Sequence, residues 1–200
     1  MYERVVIISP TAQEIEPFLK GPYRESGCEV VEVIVSGVGV AEVAEATRRV
    51  LTDLRPSLVI LAGIAGRYPS SGLKVGDVAL VETEIVSDLG ALYPKGFKPM
   101  YQKTYTCPYT TKFKPFFKAA GNTASTAAAP FVSFDKIDIE NMEGAVFFAM
   151  CLGAGVPFLE LRAVSNTVSF TRKDWNIPLA AENLAAGLND LLKTIAKQFR

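Results

Sequence analysis

Short runs of apolar and β-branched residues recur along the chain at positions 5–9 (VVIIS), 30–36 (VVEVIVS), 58–62 (LVILA), 78–81 (VALV) and 158–164 (FLELRAV). Each is bounded by glycine, proline or polar residues. Runs of this length without a helical period predict buried strands. Between the second and third, Val43, Thr47, Val50, Leu51 and Leu54 recur at three and four residues and predict a helix that Pro56 stops. A second helix is expected to begin near Glu143, and a third to carry the stripe Leu184, Leu188, Leu191, Ile195 and Phe199. Strands alternating with helices predict an α/β chain with a largely parallel or mixed central sheet and helices on both faces. Residues 89–115 are rich in Tyr, Pro, Lys and Gly and follow neither period, so they read as a loop region over the sheet ends, where specificity is commonly carried.

No repeat or low-complexity linker interrupts the pattern, and a chain of 200 residues with 49% hydrophobic content fits a single domain spanning 1–200. Lys+Arg and Asp+Glu number 21 each, leaving no broad field to hold nucleic acid or an acidic membrane; a small neutral or weakly charged ligand fits better. The first residues run straight into the apolar 5–8 segment, and no run approaches the ~18 apolar residues of a membrane span, so a cytoplasmic protein is expected. Cys28, Cys107 and Cys151 are far apart and form no CxxC; they read as reduced core thiols, and no metal site is expected. The chain has no histidine. Ser-His-Asp triads, Cys-His dyads and histidine metal sites are excluded together, and acid/base chemistry falls first to carboxylates.

Each candidate for that chemistry has an ordinary structural reading beside the functional one. Glu14, in Thr11-Ala-Gln-Glu, reads as the third residue of a capping box on Thr11, or as a general base where ligands of α/β sheets bind. Glu143 follows Asn141, a residue suited to capping a helix. Asn166 ends a strand and suits a turn. Arg162, in a strand that otherwise looks buried, needs a carboxylate, which Glu14 is placed to supply. Ser36-Gly-Val-Gly and Gly63-Ile-Ala-Gly follow strands, and their glycines either make tight turns or admit a ligand close to the backbone.

Taken in order, Glu14, Ser36-Gly-Val-Gly, Gly63-Ile-Ala-Gly, Leu73-Lys-Val-Gly-Asp, Asn141-Met-Glu-Gly-Ala and Arg162-Ala-Val-Ser-Asn resemble the nucleoside phosphorylase and methylthioadenosine/adenosylhomocysteine nucleosidase superfamily over nearly the whole chain. The resemblance implies a three-layer α/β fold with a mixed sheet flanked by helices. It also implies a cofactor-free enzyme acting on a small nucleoside, and a homo-oligomer. It assigns Glu14 to activation of the attacking water with help from Arg162, Met142 and Glu143 to the ribose, and the backbone around Ala65 and Gly66 to the purine. The implied reaction passes through an oxocarbenium-like transition state, with positive charge on the sugar and negative charge on the departing base.

Two positions depart from the adenine-specific pattern. Asn166 stands where those nucleosidases carry an aspartate that protonates N7; an amide offers both a donor and an acceptor, which suits a 6-oxopurine. Ile64 stands where many relatives have Ser or Thr, and with Glu14 it disfavours phosphate as nucleophile. The 174–184 segment and the 162–166 segment resemble the futalosine hydrolases, whose substrate carries an aromatic carboxylate on the 5′ side of its ribose. Arg172, Lys173 or Lys95 would pair with that carboxylate, and Phe97, Tyr101 and Trp175 would pack on its ring. A methylthioadenosine/adenosylhomocysteine nucleosidase, a purine nucleoside phosphorylase and a catalytically silent nucleoside sensor are the alternatives. Residues 121–130 are expected to flank the base.

Overall fold

The computed structural model describes residues 4–22, 28, 30–100, 103–128, 136–169 and 171–198. All five apolar runs form strands. β1 (Val5–Ser9) and β2 (Val30–Val35) match them closely. β3 (Leu58–Arg67), β4 (Val78–Val86) and β10 (Phe158–Thr167) continue well beyond them, through residues that read as strand ends. The predicted helices are present as α2 (Val40–Arg49), α3 (Gly144–Ala154) and α4 (Ile177–Gln198), and α1 (Ala12–Lys20) follows β1. The last turn of the α2 segment relaxes into a π-helical turn over Val50–Leu54, and Arg55 ends it in the left-handed region just before Pro56. Phe199 lies outside the described residues.

The 89–115 region is not a plain loop. It holds a two-stranded hairpin, β5 (Gly90–Tyr93) and β6 (Gly96–Pro99), then β7 (Tyr105–Thr106) against β4, then a 3₁₀ turn at Thr110–Lys112. These strands are short and mostly exposed, so no run of buried apolar residues marks them. β8 (Phe117–Thr123) and β9 (Ile139–Asn141) are equally hidden, because Ala, Gly, Asn and Thr fill the buried positions of β8 and β9 is three residues with a single apolar one, Ile139.

The sheet is mixed, with helices packed as two pairs, α1 with α4 and α2 with α3. β1 lies between β2 and β3, all parallel. β10 runs parallel to β3 along its length and antiparallel to β4; β8 and β9 then carry the sheet back to the end of β3, where Gly66 pairs with Glu140. One edge of β3 is therefore shared: β1 pairs with it up to Leu61, and β9 takes over at Gly66. Residues 62–65 have no strand partner on that edge. Such a change of neighbour leaves a crevice at the carboxyl ends of the parallel strands. Beneath it the core is dry, with Phe147 and Phe148 both edge-on to Phe158 at ring-centroid distances of 5.7 and 4.8 Å. No helix among the described residues is long and apolar enough to cross a membrane.

Candidate active site

Glu14 is set by the start of α1. Thr11 is the N-cap, extended at φ −135° and ψ 153°, and its hydroxyl oxygen accepts from the Glu14 N–H at 3.2 Å. In a full capping box the Glu14 carboxylate would return to the Thr11 N–H. Instead Oε1 accepts from the Thr11 hydroxyl at 2.6 Å, and Oε2 accepts from the Ile64 N–H at 2.7 Å, on the unpaired edge of β3. The cap is real, and the carboxylate is spent on the crevice. Burial raises the pKa of Glu14 above the usual carboxylate range, against the lowering effect of the Thr11 and Ile64 hydrogen bonds and the Arg162 charge.

Arg162, 1% exposed on β10, is fixed by three acceptors. Nε donates to Glu160 Oε1 at 2.8 Å, Nη2 to Glu143 Oε2 at 3.1 Å and Nη1 to the Ile64 carbonyl at 3.2 Å. Its ion-pair partners are thus Glu160 and Glu143 rather than Glu14, which acts on it through space. Burial alone would release its proton more easily, but Glu160 and Glu143 outweigh burial and hold the guanidinium charged. Gly63 makes the convergence possible: a Cβ there would lie 2.6 Å from Arg162 Nη1 and 2.8 Å from Glu14 Oε2.

Glu143 occupies the N-cap position of α3, which the sequence suggested for Asn141. Asn141 still does the capping, since its Oδ1 accepts from the N–H groups of Glu143 at 3.0 Å and Gly144 at 2.8 Å. That frees the Glu143 carboxylate, whose Oε1 accepts from the Gly39 N–H at 2.9 Å. Gly39 sits at φ 95° and ψ 170°, a conformation L residues avoid, which explains the second glycine of Ser36-Gly-Val-Gly.

Asn166 is a strand residue and not a turn. A register shift in β10 between Val164 and Asn166 brings it opposite Gly66. Its Oδ1 accepts from the Ser165 hydroxyl at 2.7 Å and its Nδ2 donates to the Thr167 carbonyl at 3.2 Å, leaving one N–H and one lone pair. Gly66 has to be small here, because a Cβ would lie 3.1 Å from Asn166 Nδ2 and 2.9 Å from Val168 Cγ2.

These residues wall one cavity of about 260 Å³. Glu14, Arg162, Glu143 and Asn166 share it with Ala65, Gly66 and Met142, and Ile64 contributes an apolar side chain. Trp175 and Arg172 also line it, the guanidinium 5.3 Å from the indole ring centre, and the Trp175 Nε1 donor is buried without a partner among the described residues. Phe97, Lys95 and Lys173 are not among its lining residues; Phe97 lies on β6 against Gly90. Tyr101 lies outside the described residues, as do positions 129 and 130 of the segment expected to flank the base; Ala127 of that segment lines the cavity.

Gln13, Glu140 and Ser165 line it too and were not singled out by sequence. Ser165 lies inside the Arg162-Ala-Val-Ser-Asn segment and ties the two main strands, donating to the Ala65 carbonyl at 3.2 Å as an alternative to Asn166. Glu140 precedes Asn141-Met-Glu and accepts from the Tyr68 hydroxyl at 3.1 Å and the Ala128 N–H at 2.6 Å. Among the described residues no group of three or more His, Cys, Asp or Glu is arranged to hold a metal ion.

Comparison with known proteins gives a consistent picture. Residues 123–193 match the family model of the phosphorylase superfamily. The chain is 29% identical to a futalosine hydrolase of Thermus thermophilus, over 94% of each chain. It is 27% identical to a 5′-methylthioadenosine/S-adenosylhomocysteine nucleosidase of Haemophilus ducreyi, over 90% of this chain and 93% of the relative. Its fold matches the same kind of nucleosidase from S. pneumoniae, solved with a transition-state inhibitor, at a TM-score of 0.79 with 17% identity, over 96% of this chain and 99% of that one. A futalosine hydrolase mutant of Helicobacter pylori matches at 0.72 with 17% identity, over 98% and 99%. The chain is thus similar to nucleosidases over most of its length, and matches the phosphorylase superfamily model over residues 123–193.

Proposed function

We propose that this chain is an N-glycoside hydrolase of a 6-oxopurine nucleoside, futalosine before others, releasing hypoxanthine and dehypoxanthine futalosine for menaquinone synthesis. The carrying observation is the meeting of Glu14, Arg162, Glu143 and Asn166 on one cavity. Glu14, buried and raised in pKa yet held toward the cavity by the Ile64 N–H, is the base that takes a proton from water. The water oxygen bonds to C1′ as the C1′–N9 bond breaks, and the bonding pair leaves with the purine, which is then reprotonated from solvent. The positive charge that grows on the ribose meets the Glu143 carboxylate, which also accepts from the ribose hydroxyls. Met142 packs on the sugar, and the backbone at Ala65 and Gly66 lies along the purine.

Asn166 supports the choice of base. Its free N–H donates to N7 and its free lone pair accepts from a 6-oxopurine, whereas an adenine N7 is better served by an acid. Ile64 and the carboxylates of Glu14 and Glu143 support water over phosphate, since a phosphate dianion would meet like charge. Arg172 and Trp175 form the part of the wall suited to an aromatic carboxylate on the 5′ side of the ribose. Methylthioadenosine or adenosylhomocysteine is the second reading, favoured by nucleosidase relatives of nearly the same identity. Incubation with futalosine, inosine and methylthioadenosine, each with and without phosphate, separates the two. Futalosine cleaved without phosphate supports the reading; rapid cleavage of methylthioadenosine beside intact futalosine overturns it.

A further inference from the structure

Behind the cavity two further carboxylates are wholly buried, Glu84 on β4 and Glu160 on β10. Glu84 is well supplied with donors: Oε2 accepts from the Thr123 hydroxyl at 2.8 Å and Oε1 from Asn141 Nδ2 at 2.6 Å. Glu160 Oε1 accepts from Arg162 Nε, but Glu160 Oε2 is buried with no partner among the described residues. That orphan and Glu84 Oε1 converge on one point. A Cβ built on Gly144 would lie 2.6 Å from the first and 2.5 Å from the second, so both carboxyl groups reach into the space that a side chain at position 144 would fill. Two ionised carboxylates so close in a dry site repel strongly, and an unsatisfied buried acceptor adds to the cost.

We propose that Glu84 and Glu160 are positioning residues, a carboxyl pair that holds one proton between Glu160 Oε2 and Glu84 Oε1 and thereby fixes the Arg162 guanidinium against the cavity. One proton gives the orphan oxygen a partner and removes the repulsion. The proton belongs to the pair and not to either residue. Burial raises the proton affinity of both groups; their mutual charge adds to this at Glu84, and at Glu160 burial outweighs the opposing charge of Arg162. The other groups facing the pair among the described residues include Glu143 and Glu14 across Arg162, the amide of Asn141, the hydroxyl of Thr123, the Tyr68 phenol, which burial and the nearby carboxylates keep protonated, and the Cys107 thiol, which burial keeps protonated with a pKa pushed up to about 11. With Nε anchored on Glu160, the other two nitrogens of Arg162 reach Ile64 and Glu143. The pair thus sets the Arg–Glu143 geometry from behind. Its catalytic consequence rests on the hydrolase reading; the shared proton does not.

Glu160→Gln is the diagnostic substitution. Its amide N–H replaces the shared proton and its carbonyl still accepts from Arg162 Nε, so kcat/KM should stay within about threefold of the parent. Glu160→Leu strands Arg162 Nε and should lower kcat on the order of 10²-fold with a smaller change in KM. An activity-free readout is isotope-edited infrared spectroscopy on the full chain carrying ¹³C-glutamate. At about pH 8, well above ordinary carboxyl values, the parent and Glu14→Gln should both show one protonated carboxyl band that Glu160→Gln lacks. Absence of that band from the parent, its survival in Glu160→Gln, or a Glu160→Gln protein that folds but has lost its hydrolysis, overturns the proposal. If no variant cleaves any nucleoside, the hydrolase reading fails while the infrared result still decides the pair.

Discussion

Gly63→Ala adds a single methyl group at the point where Glu14 and Arg162 come together. Gly63 pairs with Arg162 in the β3–β10 ladder and shows no left-handed backbone, so alanine is conformationally acceptable there. The difficulty is space. To restore ordinary contact, Arg162 Nη1 has to retreat from 2.6 Å and Glu14 Oε2 from 2.8 Å to at least 3.4 Å. Displacements of roughly 1 Å at a reacting centre cost on the order of 10² in rate. Both atoms are the ends of side chains, so the fold should absorb the change for about 1 kcal/mol, at the low end of overpacking penalties. The assay is kcat/KM for base release, beside a thermal melt. Gly153→Ala is the control: nothing lies within 4 Å of its added methyl, it sits near the end of α3, and it should gain about 0.5 kcal/mol with activity unchanged. A Gly63→Ala protein with parental kcat/KM would refute the claim that this close approach organises the site.

Four more outcomes follow from the same geometry. Glu14→Gln should lower kcat about 10³-fold as a lost general base while leaving ligand affinity nearly intact, which calorimetry with a non-hydrolysable nucleoside checks. Because Glu14 must be ionised to act, kcat/KM should fall in acid through a limb lying above the ordinary carboxylate range. The same raised pKa means that the stability contributed by Glu14 is fully present below its unfolded value and is lost as pH rises through its folded value. Glu14→Gln should therefore melt higher than the parent at neutral pH, and the gain should vanish in acid. Asn166→Asp should shift the ratio of kcat/KM for adenine over hypoxanthine nucleosides upward by about tenfold or more, since the amide's pairing with a 6-oxopurine is exchanged for a carboxyl group; an unchanged ratio removes Asn166 from base selection.

How much of this was legible in the sequence depends on whether burial left an apolar trace. β1 is apolar up to its closing Ser9 and its limits are plain in the sequence, whereas the apolar runs of β3 and β10 stop at Ala62 and Val164, short of the strand ends. The residues beyond those points, Gly63 to Gly66 and Ser165 to Asn166, look like turn formers but pair with one another inside the sheet. Polarity at a strand end marked the site there. Glu14 showed its capping spacing but not where its carboxylate goes, because the Ile64 N–H is available only through the handover from β1 to β9. Glu84 and Glu160 carried no signal of their own, since Glu84 lies beyond the apolar run that ends at Val81 and Glu160 is one polar residue inside a run that reads as a buried strand. Their burial depends on the closing of the sheet through β8 and β9, strands without an apolar signature. Phe97 was drawn to the substrate by its place in an aromatic region, and the hairpin of β5 and β6 keeps it off the cavity wall.

The measurement closest to the central claim is chromatographic detection of free hypoxanthine from futalosine in phosphate-free, metal-free buffer, with Glu14→Gln run in parallel. The parent should yield stoichiometric hypoxanthine and dehypoxanthine futalosine, with phosphate making no difference, and the variant almost none. No hypoxanthine under any condition, a strict requirement for phosphate, or an active Glu14→Gln protein would contradict that claim.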